Sequence, residues 1–163
     1  MSAARATGAA RVAVVSGAAR GIGAAIAERL RADGFTGVSL DLQRPDAARE
    51  GIVDLVCDIA DPEAVAAAVA RAGEEGRIDA LVHCAGVDCP RGTPTGIDEA
   101  HWRSIIDVNL NGAWWVTQAV LPGMIEQGGG RIVLISSLAA RLGGAPMSPA
   151  YSAAKAGVIG LTI

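Results

Sequence analysis

The sequence lacks the features that would assign the protein to a membrane or to nucleic acid. No apolar run in its 163 residues reaches the roughly 18 residues that span a bilayer. It has no block of basic residues and its net charge is −3, whereas nucleic-acid-binding domains carry basic patches. We therefore expect neither a membrane nor a nucleic-acid partner.

Cysteine and histidine are scarce. The three cysteines, Cys57, Cys84 and Cys89, follow neither a disulfide framework nor a paired metal-ligand spacing, and the two histidines, His83 and His101, are far apart in the chain. Cys57 and Cys84 lie in or beside apolar runs, which predicts buried free thiols. We interpret His83 as a hydrogen-bonded residue of the core or of a cleft. The expectations are no metal site and a reducing, cytoplasmic location.

Aromatic residues make up only 3% of the chain, and they include a single tyrosine, Tyr151. The chain also has a single lysine, Lys155, among its fourteen basic residues. The two residues lie four positions apart, and on a helix this spacing places both side chains on one face. An ammonium beside a phenol favours the phenolate, as a general acid/base near neutral pH requires. The pair is the strongest catalytic signal in the sequence, and the alternative is an incidental surface pair.

Hydrophobic residues, by contrast, are abundant at 51% of the chain. They form short apolar runs that alternate with helical patterns, which is typical of βαβ units on a parallel sheet. The pattern predicts one α/β domain over residues 1–163, with a doubly wound parallel sheet. The predicted strands cover 11–16, 37–40, 52–56, 78–83 and 131–135. The predicted helices cover 21–32, 62–75, 98–127 with an interruption near 109–112, and a last segment that starts near residue 150 and runs to the end of the chain, after a loop over 136–149.

Glycine is the other abundant residue, and three glycines, Gly17, Gly21 and Gly23, lie between the first strand and the first helix. A phosphate-binding turn needs glycine for a tight turn, for close approach of the backbone to the pyrophosphate, and for packing of the helix on the strand. The helix N-terminus then supplies free N–H groups. The alternative is a simple turn in a chain that is rich in alanine and glycine. The position at a strand–helix junction favours the phosphate site.

Asp41 closes the second predicted strand. A carboxylate there accepts hydrogen bonds from ribose hydroxyls and repels a 2′-phosphate, which favours NAD over NADP. Arg20, inside the glycine-rich segment, argues mildly for NADP because its guanidinium can bind a phosphate. The alternative for Asp41 is an acid that only solvates a turn.

Ser136 and Ser137 end the fifth predicted strand, where ligands bind in open α/β sheets. A serine hydroxyl there can bind a substrate oxygen beside Tyr151. The alternative is helix capping or loop solvation, and it applies more strongly to Ser136. Asn109, in a helical region, either breaks the helix and holds a water in a proton path or simply marks a helix boundary.

Several short motifs follow one another in an order that resembles the short-chain dehydrogenase/reductase family. They are SGAARGIG at 16–23, CAG at 84–86, NLNG at 109–112, ISS at 135–137 and YSAAK at 151–155. The combination is specific, although single members of it are not. The resemblance implies a Rossmann-like fold with Tyr151 as catalytic acid/base, Lys155 as its tuning cation and nicotinamide-ribose ligand, Ser137 as the substrate-orienting hydroxyl, and Asn109 acting through a water. The predicted cofactor-binding residues are Gly17, Arg20, Gly21, Ile22, Gly23, Asp41, Asp58, Ala85, Gly86, Tyr151 and Lys155.

The sequence also departs from the family pattern in two respects. His83 and Cys84 replace two asparagines, which affects the rigidity of the loop more than the chemistry. Family members usually continue for about 80 to 100 residues past the catalytic helix, through two more strands and a segment that covers the substrate. The resemblance therefore implies an incomplete domain whose fifth strand is an unpaired edge.

The predicted function is hydride transfer between NAD(H) and a small alcohol or carbonyl substrate, in a homodimer or homotetramer. Two alternatives remain open: an NADPH-dependent β-ketoacyl-carrier-protein reductase, and a nucleotide-binding fragment without turnover. Among the tryptophans, Trp102 is predicted to lie in the core. Trp114 and Trp115 are adjacent, so one of them is expected to face a partner chain.

Overall fold

The computed structural model describes residues 9–87, 94–143 and 148–162. In these ranges five strands form one sheet, and every pairing between neighbouring strands is parallel. The strands are β1 (Arg11–Ser16), β2 (Thr36–Asp41), β3 (Ile52–Val56), β4 (Arg77–His83) and β5 (Arg131–Leu134). Their order across the sheet is β3-β2-β1-β4-β5. This is the predicted doubly wound α/β fold, because the chain leaves β1 towards one edge and then crosses to the other.

The helices of the described ranges are α1 (Gly21–Ala32), α2 (Pro62–Glu74), α3 (Glu99–Ile106), α4 (Gly112–Glu126), α5 (Ala139–Leu142) and α6 (Pro149–Gly160). A π-helical turn, Asp107–Asn111, joins α3 to α4, where the sequence predicted an interruption. The start of α2 follows its sequence signal, since Asp61 accepts hydrogen bonds from the N–H groups of Glu63 and Ala64 and Pro62 takes the first helical position. None of these helices is both long enough and apolar enough to cross a bilayer.

Both faces of the sheet are covered, which explains why its strands are apolar throughout. On one face, Val12 and Val14 of β1 pack with residues of α2 and α4. On the other face, Val15 packs with Ala27 and with the neighbouring residues of α1. Alternate residues of one strand thus belong to two separate cores.

The edge at β5 is open. In the described part of the chain β5 pairs only with β4, and its Val133 is exposed. Among these residues β5 is therefore an edge strand of the sheet.

The structure corrects four local expectations. The four-residue spacing of Ile22, Ile26 and Leu30 predicts one buried apolar stripe on α1, but Ile22 is 68% exposed and only the other two pack against the core. The segment predicted as a loop over 136–149 contains α5. The last helix ends at Gly160, with Thr162 outside it. Trp102 is 42% exposed, because Ile105 carries the buried side of α3.

Two further predictions concern the remaining aromatic and sulfur side chains. Trp115 packs against the core while Trp114 is exposed, so the two tryptophans do face different ways. Cys57 is buried and Cys84 is half-buried, and both are free thiols as predicted. Cys89 lies outside the described residues.

Candidate active site

The glycine-rich turn between β1 and α1 leaves no room for a side chain at Gly17 or at Gly23. Gly17 and Gly21 have φ angles of 67° and 60°, a region that disfavours any residue with a Cβ. A Cβ at Gly17 would lie 2.6 Å from the backbone nitrogen of Ala85, and one at Gly23 would lie 2.1 Å from Gly17 O. The turn, the first turn of α1 and the loop after β4 therefore meet in backbone-to-backbone contact.

The first turn of α1 is suited to an anion. It holds no acidic residue, and its N-cap, Arg20, makes no side-chain hydrogen bond to the helix. Free N–H groups and the positive end of the helix dipole attract phosphate at such a terminus. The glycine cradle and this helix end together fit the pyrophosphate of a dinucleotide.

A cleft of about 360 Å³ opens beside the turn. Its walls include many of the residues that the sequence predicted to bind a cofactor. These are Gly17, Arg20, Ile22, Gly23, Asp41, Ala85 and Gly86. The exposure of Ile22 is thus explained, since its side chain faces this cleft rather than the core.

Four predicted cofactor residues do not line the cleft: Gly21, Asp58, Tyr151 and Lys155. Gly21 shapes the turn through its φ angle but is not part of the wall. Asp58 is exposed and accepts a hydrogen bond from the N–H of Ala60, while its neighbours Cys57 and Ile59 do form the wall. No sequence signal marked the other wall residues, because four of them are apolar and the fifth, Gln43, carries no charge. They are Leu40, Leu42, Gln43, Val87 and Val108.

Asp41 lies where a ribose-binding acid would lie, and it also bonds to a turn, which was the alternative role predicted for it. Its side chain lines the cleft, and both of its carboxylate oxygens accept backbone hydrogen bonds. Oδ2 accepts from the N–H of Ala19 at 2.9 Å, and Oδ1 accepts from the N–H of Gln43 at 3.1 Å. The acid is therefore a support for the glycine-rich turn as well as a wall of the cleft.

Lys155 lies at the carboxyl end of β5. It is 4% exposed, and its Nζ donates to Ile135 O at 3.0 Å. The same Nζ lies 5.9 Å from the centre of the Tyr151 ring, so the two side chains share one side of α6. Ser136 Oγ donates to Lys155 O at 2.7 Å and so ties α6 to the strand end. Burial lowers the pKa of Lys155 from its usual value, because it disfavours the charged ammonium.

Asn109 is the buried residue of the π-helical turn. Its Nδ2 donates to Ile105 O and to Val87 O, each at 2.9 Å. Its Oδ1 is buried and has no hydrogen-bond partner in the described residues. A Cβ at Gly86 would lie 2.7 Å from this Oδ1 and 3.4 Å from Lys155 Nζ. The cleft loop, which is residues 84–87 after β4, therefore meets the π-helical turn and α6 at one place.

Ser137, the second of the serine pair, is half-buried. Its Oγ accepts a hydrogen bond from the N–H of Ala139 at 3.2 Å at the start of α5. The alternative predicted for Ser136 and Ser137 was helix capping or loop solvation, and Ser137 makes such a local hydrogen bond. An accepted hydrogen bond leaves the hydroxyl proton free to be donated.

His83 is fully buried beneath the cleft loop. Its Nδ1 lies 2.8 Å from Ser16 Oγ, and Ser16 Oγ accepts from the N–H of Ala85 at 3.3 Å. Burial, and next the charge of Lys155, lower the pKa of His83 to about 3. The prediction of a hydrogen-bonded core histidine is confirmed. In the described ranges no three His, Cys, Asp or Glu side chains cluster in a way that would hold a metal ion.

The thiols in the cleft wall are poor nucleophiles. Burial raises the pKa of Cys57 to about 11, with smaller contributions from the charges of Asp58 and Asp61. Burial also raises the pKa of Cys84. Because the thiolate is the reactive form, neither residue is suited to nucleophilic catalysis at neutral pH.

Comparison with known proteins assigns the chain. The family model described as short chain dehydrogenase matches residues 11–163. The chain belongs to this family. The short-chain reductase protein NovJ of Streptomyces niveus is 43% identical over 161 residues, a match that covers 93% of this chain and 60% of NovJ. The oxidoreductase UcpA of Escherichia coli K12 is 39% identical over 164 residues and is covered to 61% of its length.

Solved structures of a dehydrogenase and a ketoreductase show the same fold. The ligand-free aldohexose dehydrogenase of Thermoplasma acidophilum matches with a TM-score of 0.87 and 35% identity, over 94% of this chain and 59% of that chain. An actinorhodin polyketide ketoreductase with NADPH matches with a TM-score of 0.82 and 32% identity, over 94% of this chain and 62% of that chain. The chain thus spans about 60% of the length of the curated relatives described above.

Proposed function

We propose that this chain is the nucleotide-binding and catalytic part of an NAD(H)-dependent oxidoreductase that interconverts an alcohol and a carbonyl compound. The observation that carries the proposal is the position of Lys155. Its buried ammonium lies beside the Tyr151 ring and next to Gly86, which lines the cleft. A proton-transfer pair and a candidate nucleotide site therefore adjoin one another.

The residues present fit a nicotinamide dinucleotide. The crowded glycine turn lets backbone N–H groups approach the pyrophosphate, and Asp41 offers its carboxylate at the cleft wall. Arg20, Ile22 and Ala85 would complete the walls around it. When bound, the nicotinamide supplies the hydride acceptor or donor.

Tyr151 acts as the general acid/base in this proposal. Its phenolate takes the hydroxyl proton of an alcohol substrate during oxidation, and the phenol so formed donates that proton to the carbonyl oxygen during reduction. The Lys155 ammonium stabilises the phenolate form by charge attraction. The hydrogen bond from Nζ to Ile135 O keeps that ammonium in place at the end of β5.

Asn109 and Ser137 support the proton transfer. The unpartnered Oδ1 of Asn109 is positioned to accept a hydrogen bond on the side of Gly86 and Lys155, directly or through one water. Ser137 donates its hydroxyl proton to the substrate oxygen while its own oxygen stays bound to the N–H of Ala139. This assignment gives each of the four residues a separate task.

Replacing Tyr151 with phenylalanine tests the mechanism, because it removes only the hydroxyl. We expect turnover to fall at least 1,000-fold, within the range of a lost general acid/base, while NADH binding measured by fluorescence titration changes less than about threefold. Thr117→Val is the matched control, since it removes a hydroxyl that bonds to Ala113 O within α4. Turnover by Tyr151→Phe at the wild-type rate would remove Tyr151 from the mechanism.

An NADPH-dependent ketoreductase is the second candidate. Arg20 lines the cleft with an exposed guanidinium, which can bind a 2′-phosphate. The similar actinorhodin polyketide ketoreductase carries NADPH. Asp41 favours NADH over NADPH by charge repulsion. Titration of both reduced cofactors decides between them, and tighter binding of NADPH would favour the second candidate.

The exposed tryptophans support a homo-oligomer. Trp102 and Trp114 expose large aromatic surfaces on α3 and α4, and such surfaces are common at subunit interfaces. We propose a homodimer or homotetramer in solution. Light scattering coupled to size-exclusion chromatography tests this, and a monomer at micromolar concentration would contradict it.

A further inference from the structure

One peptide group of the glycine-rich turn is held at both ends by charged side chains. The peptide joins Ala18 to Ala19. Its carbonyl oxygen accepts a hydrogen bond from Arg49 Nη1 at 2.8 Å, and its N–H donates to Asp41 Oδ2 at 2.9 Å. Since a peptide group is planar, two bonds to opposite ends of it define the orientation of the whole plane.

An ion pair fixes the position of the Arg49 side chain. Arg49 lies in the connection between β2 and β3, and its guanidinium forms an ion pair with Asp54 of β3. The two side chains are only 12% and 13% exposed. A buried ion pair contributes little to the stability of a fold, because the cost of desolvating the two charges offsets their attraction. Its presence behind the turn therefore points to a task other than stability.

The held peptide lies where the turn has most freedom. Gly17 precedes it and Gly21 follows it, and both have positive φ angles that glycine adopts without strain. Rotation of the peptide between them would move Ala19 and Arg20, and with them the entry into the first turn of α1. That first turn carries the N–H groups that suit a pyrophosphate.

We propose that Arg49 is a positioning residue of the phosphate-binding turn, and that Arg49 and Asp41 together form a two-sided clamp on the Ala18–Ala19 peptide. The clamp rests on the proposed function only in that the turn binds a diphosphate. Asp41 then has two separable tasks: its oxygen holds the turn, and its charge discriminates against a 2′-phosphate.

The main test replaces the ion pair by an apolar pair of similar volume, Arg49→Met with Asp54→Leu, in the full chain. This double variant removes the donor to Ala18 O without leaving an unpaired buried carboxylate, and a thermal melt shows that it is folded. Arg44→Met is the control, because Arg44 is an exposed arginine of the same connection. Affinities for NADH, ADP and AMP are measured by calorimetry, and amide hydrogen exchange is followed over residues 17–23.

We expect the double variant to bind NADH and ADP about 10-fold more weakly and AMP less than threefold more weakly, since only NADH and ADP contain the diphosphate. Amide exchange at Ala19 should accelerate at least 10-fold. Equal losses for ADP and AMP, or wild-type affinities with unchanged exchange, would overturn the clamp. If the wild type binds none of the three ligands, the proposed function fails, and the exchange data alone decide whether the clamp exists.

The two sides of the clamp can be tested against each other. Asp41→Asn keeps an oxygen that accepts from the N–H of Ala19, whereas Asp41→Ala removes it. We expect Asp41→Asn to keep the affinity for ADP within threefold and to strengthen binding of NADPH relative to NADH. Asp41→Ala should weaken ADP about 10-fold, and adding Arg49→Met and Asp54→Leu should weaken it little more, because both changes release the same peptide. Fully additive losses would contradict a shared peptide.

Discussion

The two halves of the candidate site differ in what forms them: backbone packing in the glycine-rich turn, and polar side chains in the proposed catalytic face. The glycine-rich turn, residues 17–23, depends on the absence of side chains at Gly17 and Gly23, because the backbone at these positions touches that of the cleft loop and of the turn itself. The proposed catalytic face, made by Asn109, Tyr151 and Lys155, depends on polar side chains, of which Asn109 and Lys155 are buried and Tyr151 is half-buried. The turn should therefore be sensitive to volume, and the catalytic face to chemistry.

The largest effect is expected from a methyl group in the turn. Gly23→Ala places a Cβ about where Gly17 O already lies, at 2.1 Å, so α1 must move away from the turn. We expect a loss of about 3 kcal/mol in the free energy of unfolding and no measurable NADH binding at millimolar concentration. Urea denaturation and fluorescence titration measure the two effects.

Gly73→Ala is the matched control for that change. Gly73 also lies inside a helix, and a Cβ there meets nothing within 4 Å. Because alanine favours the helix, stability should rise by about 0.5 to 1 kcal/mol. A Gly23→Ala protein as stable as wild type would show that the contact between turn and helix does not limit this region.

A change at the proposed catalytic face should lower turnover without lowering stability, unlike a change in the turn. Lys155→Met keeps the length of the side chain and removes its ammonium group. Burial already lowers the pKa of this group. We expect turnover to fall at least 100-fold, a loss within the range of general acid/base catalysis, while the melting temperature stays equal or rises because a buried charge is gone. Steady-state kinetics and a thermal melt test both parts. A variant that loses stability and turnover together would mean that Lys155 mainly supports the fold.

His83 lies between the two halves, and its effect is the smallest at neutral pH. Its pKa of about 3 in the folded chain lies below the value near 6.5 of an unperturbed histidine. The unfolded chain therefore takes up the proton first, so stability is full above pH 6.5 and falls as the pH decreases towards 3. Below about pH 6.5 the slope from this one group approaches about 1.4 kcal/mol per pH unit.

His83→Asn should remove this slope between pH 6.5 and 5, as measured by urea denaturation at each pH. His101→Asn, at the other histidine of the chain, should leave it in place. An unchanged slope in His83→Asn would mean that the acid sensitivity arises elsewhere.

Most of the fold could be predicted from the sequence, because local patterns carried it. The apolar runs of β1 and β3 match the observed strands residue for residue, and the Asp61-Pro62 signal marks the start of α2. The failures involve contacts with distant parts of the chain. Trp102 was predicted in the core, yet packing makes Ile105 the buried residue of α3. Nothing local to the segment after β5 indicated the short helix α5.

In the candidate site, too, local patterns identified individual residues, whereas the contacts between distant residues could not be predicted. The motifs by themselves identified the glycines, Asp41, Tyr151 and Lys155 as the residues to examine, because glycine spacing and a helical four-residue offset are local properties. Spacing does not show that Asn109 Oδ1 and Lys155 Nζ both approach Gly86, or that Arg49 reaches Ala18 O. These contacts join residues from separate strands and connections, so only the packing of the sheet and its helices could bring them together.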